Sequence, residues 1–362
     1  NCLNGTVDLR TGQLNAHNRE DLLTHMINVD YNKPADCPKF KRFIDQIMNN
    51  NGNLVSYVQK IIGYSLTGYT REQCYFVFYG SGSNGKSTLL NVLRELLGNF
   101  VKNIDFNSLT YSGHSARGDL ARLIGARVVT CVEVEPKKVV NETVINRITG
   151  GDPITVKKMY CDPFEYIPRY KIIIAGNDKP NLEGLKHATW RRIRLIPFSV
   201  QFEKGKGLND KLTEELLEEL PGILNWAVEG CLAWQKEGLE PPKEVEVATC
   251  AYRVEKDNVI GFLKDACVAN PQASIKSVEL YASYQSWCIG NDKTTLGKKN
   301  FAESLRTKGF KKLKMQGVQQ WIGIEIRPIT NIPVLQGINQ PVVNSNSAPP
   351  LLSTSPFPKP TP

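Results

Sequence analysis

Histidine is scarce in this chain. Only His17, His25, His114 and His187 occur, and none stands at zinc-site spacing from a cysteine, which leaves no sequence support for a structural zinc module. The nine cysteines are an odd number, are scattered and form no C-x-x-C pair. A disulfide framework or a dithiol redox motif is therefore not expected, and a reducing compartment fits. Cys74 and Cys131 lie inside apolar runs, where a thiol acts as a small hydrophobe. No apolar run approaches the ~18 residues of a membrane-spanning helix, and the N-terminus has no signal-peptide pattern. Acidic residues are too few to balance the basic ones, 36 against 45, so the net charge is +9 and the pI about 9.0. That excess suits an anionic partner such as nucleic acid. No internal repeat is visible. The chain begins at Asn1 rather than Met, as expected of a piece of a longer protein.

The 362 residues, 41% hydrophobic and 22% charged, have the composition of an ordinary globular protein with room for two or three domains. Residues 1–70 read as an irregular lead-in followed by two helical segments, 39–48 and 54–66. Residues 71–240 read as one domain in which 72–200 alternate strand-like and helix-like runs, which predicts an α/β sheet with helices on both faces. The expected strands are 74–79, 127–133, 153–159, 170–175 and 193–198. Residues 209–236 return to helical periodicity, with Trp226 and Trp234 as core anchors, and Pro241-Pro242 marks a hinge. Residues 250–328 read as a small separate domain of three helices and a hairpin around Gln316-Gly317, a winged-helix-like pattern. Between Lys293 and Lys314 it carries eight basic residues and one acidic residue, Glu303, a bias that suits phosphate contacts. Residues 331–362 hold eight of the 21 prolines and a single charge, Lys359, which predicts a disordered tail or linker.

The most informative stretch is Gly80-Ser81-Gly82-Ser83-Asn84-Gly85-Lys86-Ser87-Thr88. It follows the strand-like run 74–79 and opens a helical one. This is G-x-x-x-x-G-K-S in the strand–loop–helix context that gives the pattern meaning. Small residues let successive backbone N–H groups curl around phosphate oxygens, and the helix N-terminus adds its positive dipole end. Lys86 is positioned to reach the β- and γ-phosphates of ATP, and the Ser87 hydroxyl to complete a Mg²⁺ shell.

The next apolar strand ends in Glu133-Val134-Glu135. Carboxylates at the end of a strand beside such a loop suit Mg²⁺ binding and activation of water, and strand alternation predicts that Glu133 and Glu135 share a face. The strand 170–175 leads to Asn177, whose amide could hydrogen-bond the γ-phosphate or the attacking water. Asn177-Asp178-Lys179 has the wrong order for a guanine-reading box. Arg191, Arg192 and Arg194 open the strand 193–198, and an arginine there could reach the γ-phosphate held by a neighbouring copy.

In order and spacing these motifs resemble the superfamily 3 helicases within the AAA+ ATPases, and more narrowly the C-terminal helicase part of phage, plasmid and poxvirus primase–helicases. The segments 5–12, 63–68, 123–127, 149–155, 173–180 and 190–193 carry the likeness beside the phosphate loop. The resemblance implies an AAA+-like core that binds ATP and Mg²⁺ through Lys86, Ser87 and Thr88. Glu133, with Glu135, would form the acidic motif, Glu133 joining Ser87 at the metal. Asn177 would be the sensor, and Arg191 or Arg192 the finger across a hexamer interface. The segment after Gly151-Asp152 would grip DNA in the central pore, here with Lys157 and Lys158. The family also implies a primase upstream, single-stranded or forked DNA as partner, 3′ to 5′ movement, and a cytoplasmic setting in a prokaryotic host or virus-infected cell. The reading is an ATP-dependent DNA helicase module of a replication protein. An ATP-gated initiator or loader that does not unwind shares every motif, and a small-molecule kinase shares the phosphate loop.

Overall fold

A computed structural model of the chain describes residues 1–111, 116–135, 137–182, 187–202, 211–315 and 317–327. The tail expected at 331–362, together with His114 and Gln316, lies outside the described residues.

The lead-in is more ordered than its composition suggests. Strands β1 (Thr6–Asp8) and β2 (Gln13–Asn15) pair antiparallel, and Gly12 takes the left-handed φ of 70° at their turn. Helix α1 (Pro38–Ile47) starts with proline in its first turn, where no N–H is missed. It buries Phe40, Phe43, Ile44 and Ile47, the spacing of one helical face. Helix α2 (Gly52–Ser65) is capped by the Asn51 side chain, which accepts from the N–H groups of Asn53 and Leu54.

The central layer runs β3 (Tyr75–Tyr79), α3 (Lys86–Leu97), β4 (Val101–Asn103), α4 (Ala116–Ala121), β5 (Val128–Val132), α5 (Glu142–Gly150), β6 (Ile154–Val156), β7 (Phe164–Tyr166), β8 (Lys171–Gly176), α6 (His187–Trp190) and β9 (Ile193–Pro197). Five strands form one parallel sheet in the order β4-β5-β8-β3-β9. Of the expected strands, 153–159 differs most. It shrinks to β6, leaves the sheet and pairs with β7 as a separate hairpin. Strand β4 has three partly exposed residues, too short for periodicity to reveal.

Alternation divides the core into two. Phe76 and Phe78 of β3, Val128 of β5 and Ile173 of β8 pack with α1, α2, α3 and the later helix α8 (Leu220–Glu237), which follows the short α7 (Leu212–Leu217). Tyr75, Val77, Val129, Cys131, Ile172 and Ile174 face the other way, toward α4, α5 and the β6–β7 hairpin. Cys74 and Cys131 are buried, and burial pushes both thiols up to about 12. Helices α2 and α8 touch backbone to backbone. A Cβ on Gly63 would stand 2.0 Å from Cys231 N, and one on Gly230 would stand 2.2 Å from Gln59 O. Trp234, fully buried, anchors the joint and donates its indole N–H to Glu72 Oε1 at 2.8 Å. Truncating a side chain so enclosed costs about 3–5 kcal/mol.

Pro241-Pro242 leads into α9 (Lys243–Lys256), which lies back on the sheet. Its Tyr252 is buried, meets Trp190 edge-on at 5.8 Å and donates to Pro180 O. Beyond it α10 (Asn258–Ala266), β10 (Cys267–Lys276), α11 (Ser277–Gly290), α12 (Lys298–Thr307), β11 (Lys311–Met315) and β12 (Val318–Ile326) enclose a third core around Phe262, Tyr284, Phe301 and Trp321. The order β10-β12-β11 is antiparallel. The three helices and the hairpin stand where the sequence put them. Strand β10 was not expected, because it is mostly exposed and its register shifts between Ala269 and Ser274.

Candidate nucleotide site

The phosphate loop connects the C-terminal end of β3 to the first turn of α3, and its shape follows from its glycines. A Cβ on Gly80 would stand 2.2 Å from Phe198 O, and one on Gly85, at φ 85°, 2.4 Å from Ile47 Cγ2. Only glycine lets the loop lie this close to the end of β9 on one side and to α1 on the other. Ser83 is held at φ 46°, and its carbonyl accepts from Phe202 N at 2.7 Å.

Among the described residues, the six successive backbone N–H groups from Ser83 to Thr88 donate to no backbone carbonyl, and the regular ladder resumes with Leu89 N to Gly85 O at 2.9 Å. Six unpaired donors at a helix N-terminus form an anion-binding concavity. Lys86 is buried beneath it. Its Nζ donates to Gly80 O and Asn84 Oδ1, both at 2.8 Å, and burial lowers its pKa. An ammonium held by two neutral acceptors is poised to exchange them for phosphate oxygens, a charge-assisted and stronger partnership. Ser87 is exposed in the first turn of α3.

Parallel strands bring two more of the expected residues to the same sheet edge. Asn177 follows the end of β8. Its Oδ1 and Nδ2 lie 3.7 and 4.0 Å from where a Cβ on Gly82 would stand, so the amide faces the loop. Glu133 follows the end of β5, with its N–H on Ala175 O at 3.2 Å and its φ at 70°. A glutamate in the left-handed region is strained, and such residues concentrate at functional sites. This φ also corrects one expectation: β5 ends at Val132, so alternation does not carry Glu133 and Glu135 onto one face. Glu135 is exposed and pairs with Lys138 at 2.8 Å.

Arg191 and Arg192 stand at the opposite edge. In the register Tyr75 pairs with Ile193 and Tyr79 with Pro197, and Tyr75 N donates to Arg192 O at 2.8 Å. At ~3.3 Å per residue this puts about 15 Å of sheet between the arginines and the loop of the same chain. Arg192 donates to Gln73 O at 3.2 Å and Thr149 Oγ1 at 3.5 Å, and partial burial, with Arg191 beside it, lowers its pKa. Arg191 is exposed.

Lys157 and Lys158 are exposed in the turn of the β6–β7 hairpin, beside Met159, 79% exposed, and Tyr160, 94% exposed and at φ 58°. The structure thus brings Lys86, Ser87, Glu133 and Asn177 together, and separates from them the arginines and the hairpin lysines. The clamping of the loop by Phe198 and Phe202 was absent from the sequence reading, because both act through backbone atoms and leave no side-chain signal. Among the described residues no cluster of metal-ligating side chains stands ready by itself, so a Mg²⁺ ion at Ser87 and Glu133 would depend on the phosphates for most of its ligands.

Residues 1–49 match the family described as D5 N terminal like, and residues 78–192 match a family of unknown function, DUF5906. Putative helicase L207/L206 of Acanthamoeba polyphaga mimivirus is 28% identical over 313 residues, covering 80% of this chain and 32% of that protein. Putative helicase 022R of Frog virus 3 is 28% identical over 233 residues, covering 59% and 24%. Primase D5 of fowlpox virus is 27% identical over 157 residues, covering 41% and 19%. The chain spans a third or less of the length of these three relatives. Among solved structures, the apo C-terminal region of NrS-1 superposes with a TM-score of 0.52 at 12% identity, covering 83% of this chain and 77% of that one, a likeness of fold. The chain is accordingly similar, over part of their length, to viral proteins named putative helicases and to a poxvirus D5 primase.

Proposed function

We propose that this chain is an ATP-driven DNA helicase module with an AAA+-like, superfamily 3 core and a winged-helix-like C-terminal domain. ATP would lie on the N–H groups of residues 83–88 with Lys86 on its β- and γ-phosphates. Ser87 and Glu133 would hold Mg²⁺, and Asn177 would orient the attacking water. Arg191 or Arg192 of an adjacent copy in a ring, a hexamer by the family's pattern, would stabilise the charge that develops on the γ-phosphate. Lys157 and Lys158 would hold the phosphodiester backbone of a single strand without reading its sequence.

The observation that carries this reading is the division of the machinery between two sheet edges. A single copy has the phosphate cradle at one edge and the arginines about 15 Å away at the other, so a complete site needs two copies. A trans arginine contributes about 4–7 kcal/mol to the barrier in enzymes that use one.

The test is ATP hydrolysis and strand release on a forked duplex, followed as protein concentration rises through assembly. Turnover per subunit should climb steeply and strand release should follow it. Full turnover by a monomer would overturn the ring, and DNA-stimulated turnover without strand release would favour a loader.

A further inference from the structure

A hollow of about 950 Å³ opens between the lead-in segment, the end of α2 and the N-terminal edge of the central sheet. A second, of about 430 Å³, adjoins it and shares five of its residues, His25, Phe100, Arg127, Ile167 and Arg169. Together they lie at the sheet edge opposite the phosphate loop. Each by itself has the size of a small-molecule or nucleotide site.

The walls are unusually cationic. Arg127 is fixed at the start of β5 by its N–H on Phe100 O and by Lys171 N on its own carbonyl, both at 2.8 Å. Its guanidinium lies over the Phe100 ring at 5.6 Å. Gly68 leaves room for it, since a Cβ there would stand 3.1 Å from Nη1. Among the described residues the side chains of Arg127 and Arg169 make no hydrogen bond or ion pair, and burial and the nearby Arg169 together lower the pKa of Arg127. Lys171, behind Arg127, is fully buried. The one carboxylate on the walls, Asp8, is taken by Arg10 in a two-pronged pair at 2.8 and 3.0 Å.

The partly buried Arg127 guanidinium costs desolvation, and Arg169 on the same walls adds repulsion, with no carboxylate paired to either among the described residues. A fold tolerates this where an anion relieves it, and the planar guanidinium fork matches phosphate oxygens. Phe100, His25 and the 63%-exposed Tyr69 add ring faces to the same walls, surfaces on which a base stacks. We propose that this hollow binds the phosphate of a nucleotide unit between Arg127 and Arg169, as a second site separate from the phosphate loop. The unit is a free nucleotide or one residue of a DNA strand, and the two share this chemistry.

The experiment uses the full chain carrying Lys86→Ala, so binding at the phosphate loop is weakened in every sample and the result does not depend on ATP turnover. Thymidine 5′-monophosphate and a short fluorescein-labelled oligothymidylate are titrated against this chain, and against the same chain with Arg169→Gln or Arg127→Gln added. Removing one charge-assisted contact should weaken binding about tenfold. Weakening for the mononucleotide identifies a free nucleotide, and weakening for the oligonucleotide alone identifies a strand. Arg169 is exposed, so its variant should fold whatever Arg127→Gln does, and it decides the question. Lys264→Gln, on α10 and outside the basic stretch 293–314, removes the same charge and should change oligonucleotide affinity less than about twofold, the mark of a screened surface contact. Unchanged affinity for both probes in Arg169→Gln, equal losses in Arg169→Gln and Lys264→Gln, or no binding to the chain with both arginines present would overturn the site.

Discussion

Asn84 ties Lys86 to the end of β9: its Oδ1 accepts from Lys86 Nζ at 2.8 Å while its Nδ2 donates to Phe198 O at 3.3 Å. The residue is buried and does two jobs at once. Asn84→Ala leaves a buried carbonyl and the ammonium each one partner short, at a cost of about 1–3 kcal/mol. Urea denaturation should show that loss with an unchanged slope, and ATP binding should weaken with it. Stability equal to the parent's would contradict the linkage.

The separation of Lys86 from Arg192 predicts complementation. Lys86→Ala should lose ATP turnover outright, and Arg192→Ala should bind ATP but hydrolyse it poorly. Mixing the two restores seams in which an intact loop meets an intact arginine, so part of the turnover should return at intermediate ratios. A mixture no more active than its components would place the required arginine elsewhere.

Glu133 distinguishes backbone strain from chemistry. Glu133→Gly relieves a left-handed conformation that costs a side-chain-bearing residue about 1–2 kcal/mol, a gain offset in part by the entropy of glycine in the unfolded chain. Thermal unfolding should show stability unchanged or slightly raised, while ATP turnover falls by orders of magnitude. Glu133→Gln should keep the strain and lose the turnover. An active Glu133→Gly variant would remove the carboxylate from the mechanism.

Lys171 should give stability an alkaline signature. Burial holds its pKa well below the usual 10.5, so below that value the unfolded chain binds more protons at this group than the folded chain does. Stability from this group therefore rises with pH through the window between the lowered folded pKa and 10.5. The difference in unfolding free energy between the parent chain and Lys171→Met, measured across alkaline pH, should shift in favour of the parent. A difference that is flat with pH would show that Lys171 titrates normally. Because its Nζ donates to Thr67 O and lies 4.7 Å over the Tyr64 ring, Lys171→Met should also loosen the end of α2.

The hairpin lysines should matter only with DNA. A variant carrying both Lys157→Ala and Lys158→Ala should hydrolyse ATP at the parent's basal rate and lose stimulation by single-stranded DNA. Both residues are exposed, and among the described residues neither forms an ion pair, so stability should hold within about 0.5 kcal/mol. Intact stimulation would move the strand contact off the hairpin.

Much of this protein was legible in order along the chain. The glycine-rich loop between a strand and a helix, the apolar runs of β3, β5, β8 and β9 and the basic stretch after Lys293 are local patterns. They follow from backbone sterics and the two periodicities of side-chain burial. In a parallel sheet, strands that end alike share an edge, so the grouping of Lys86, Glu133 and Asn177 follows from the motifs once parallel pairing is granted.

What local pattern could not decide came from contacts between distant segments. The left-handed Glu133 depends on where β8 ends beside it, and the backbone contact of Gly63 with Cys231 joins segments far apart in the chain. Strand β10 exists because β12 offers it an edge. Arg127 and Arg169, which have no ion-pair partner among the described residues, come onto the walls of one hollow only when Phe100, Gly68 and the lead-in close around them. Sequence alone determined which residues carry phosphate chemistry and which faces of the strands are apolar, because those are properties of single side chains and near neighbours. Tertiary structure decided which charges lack a partner and which edge each group occupies, because burial and charge pairing depend on residues far apart in the chain.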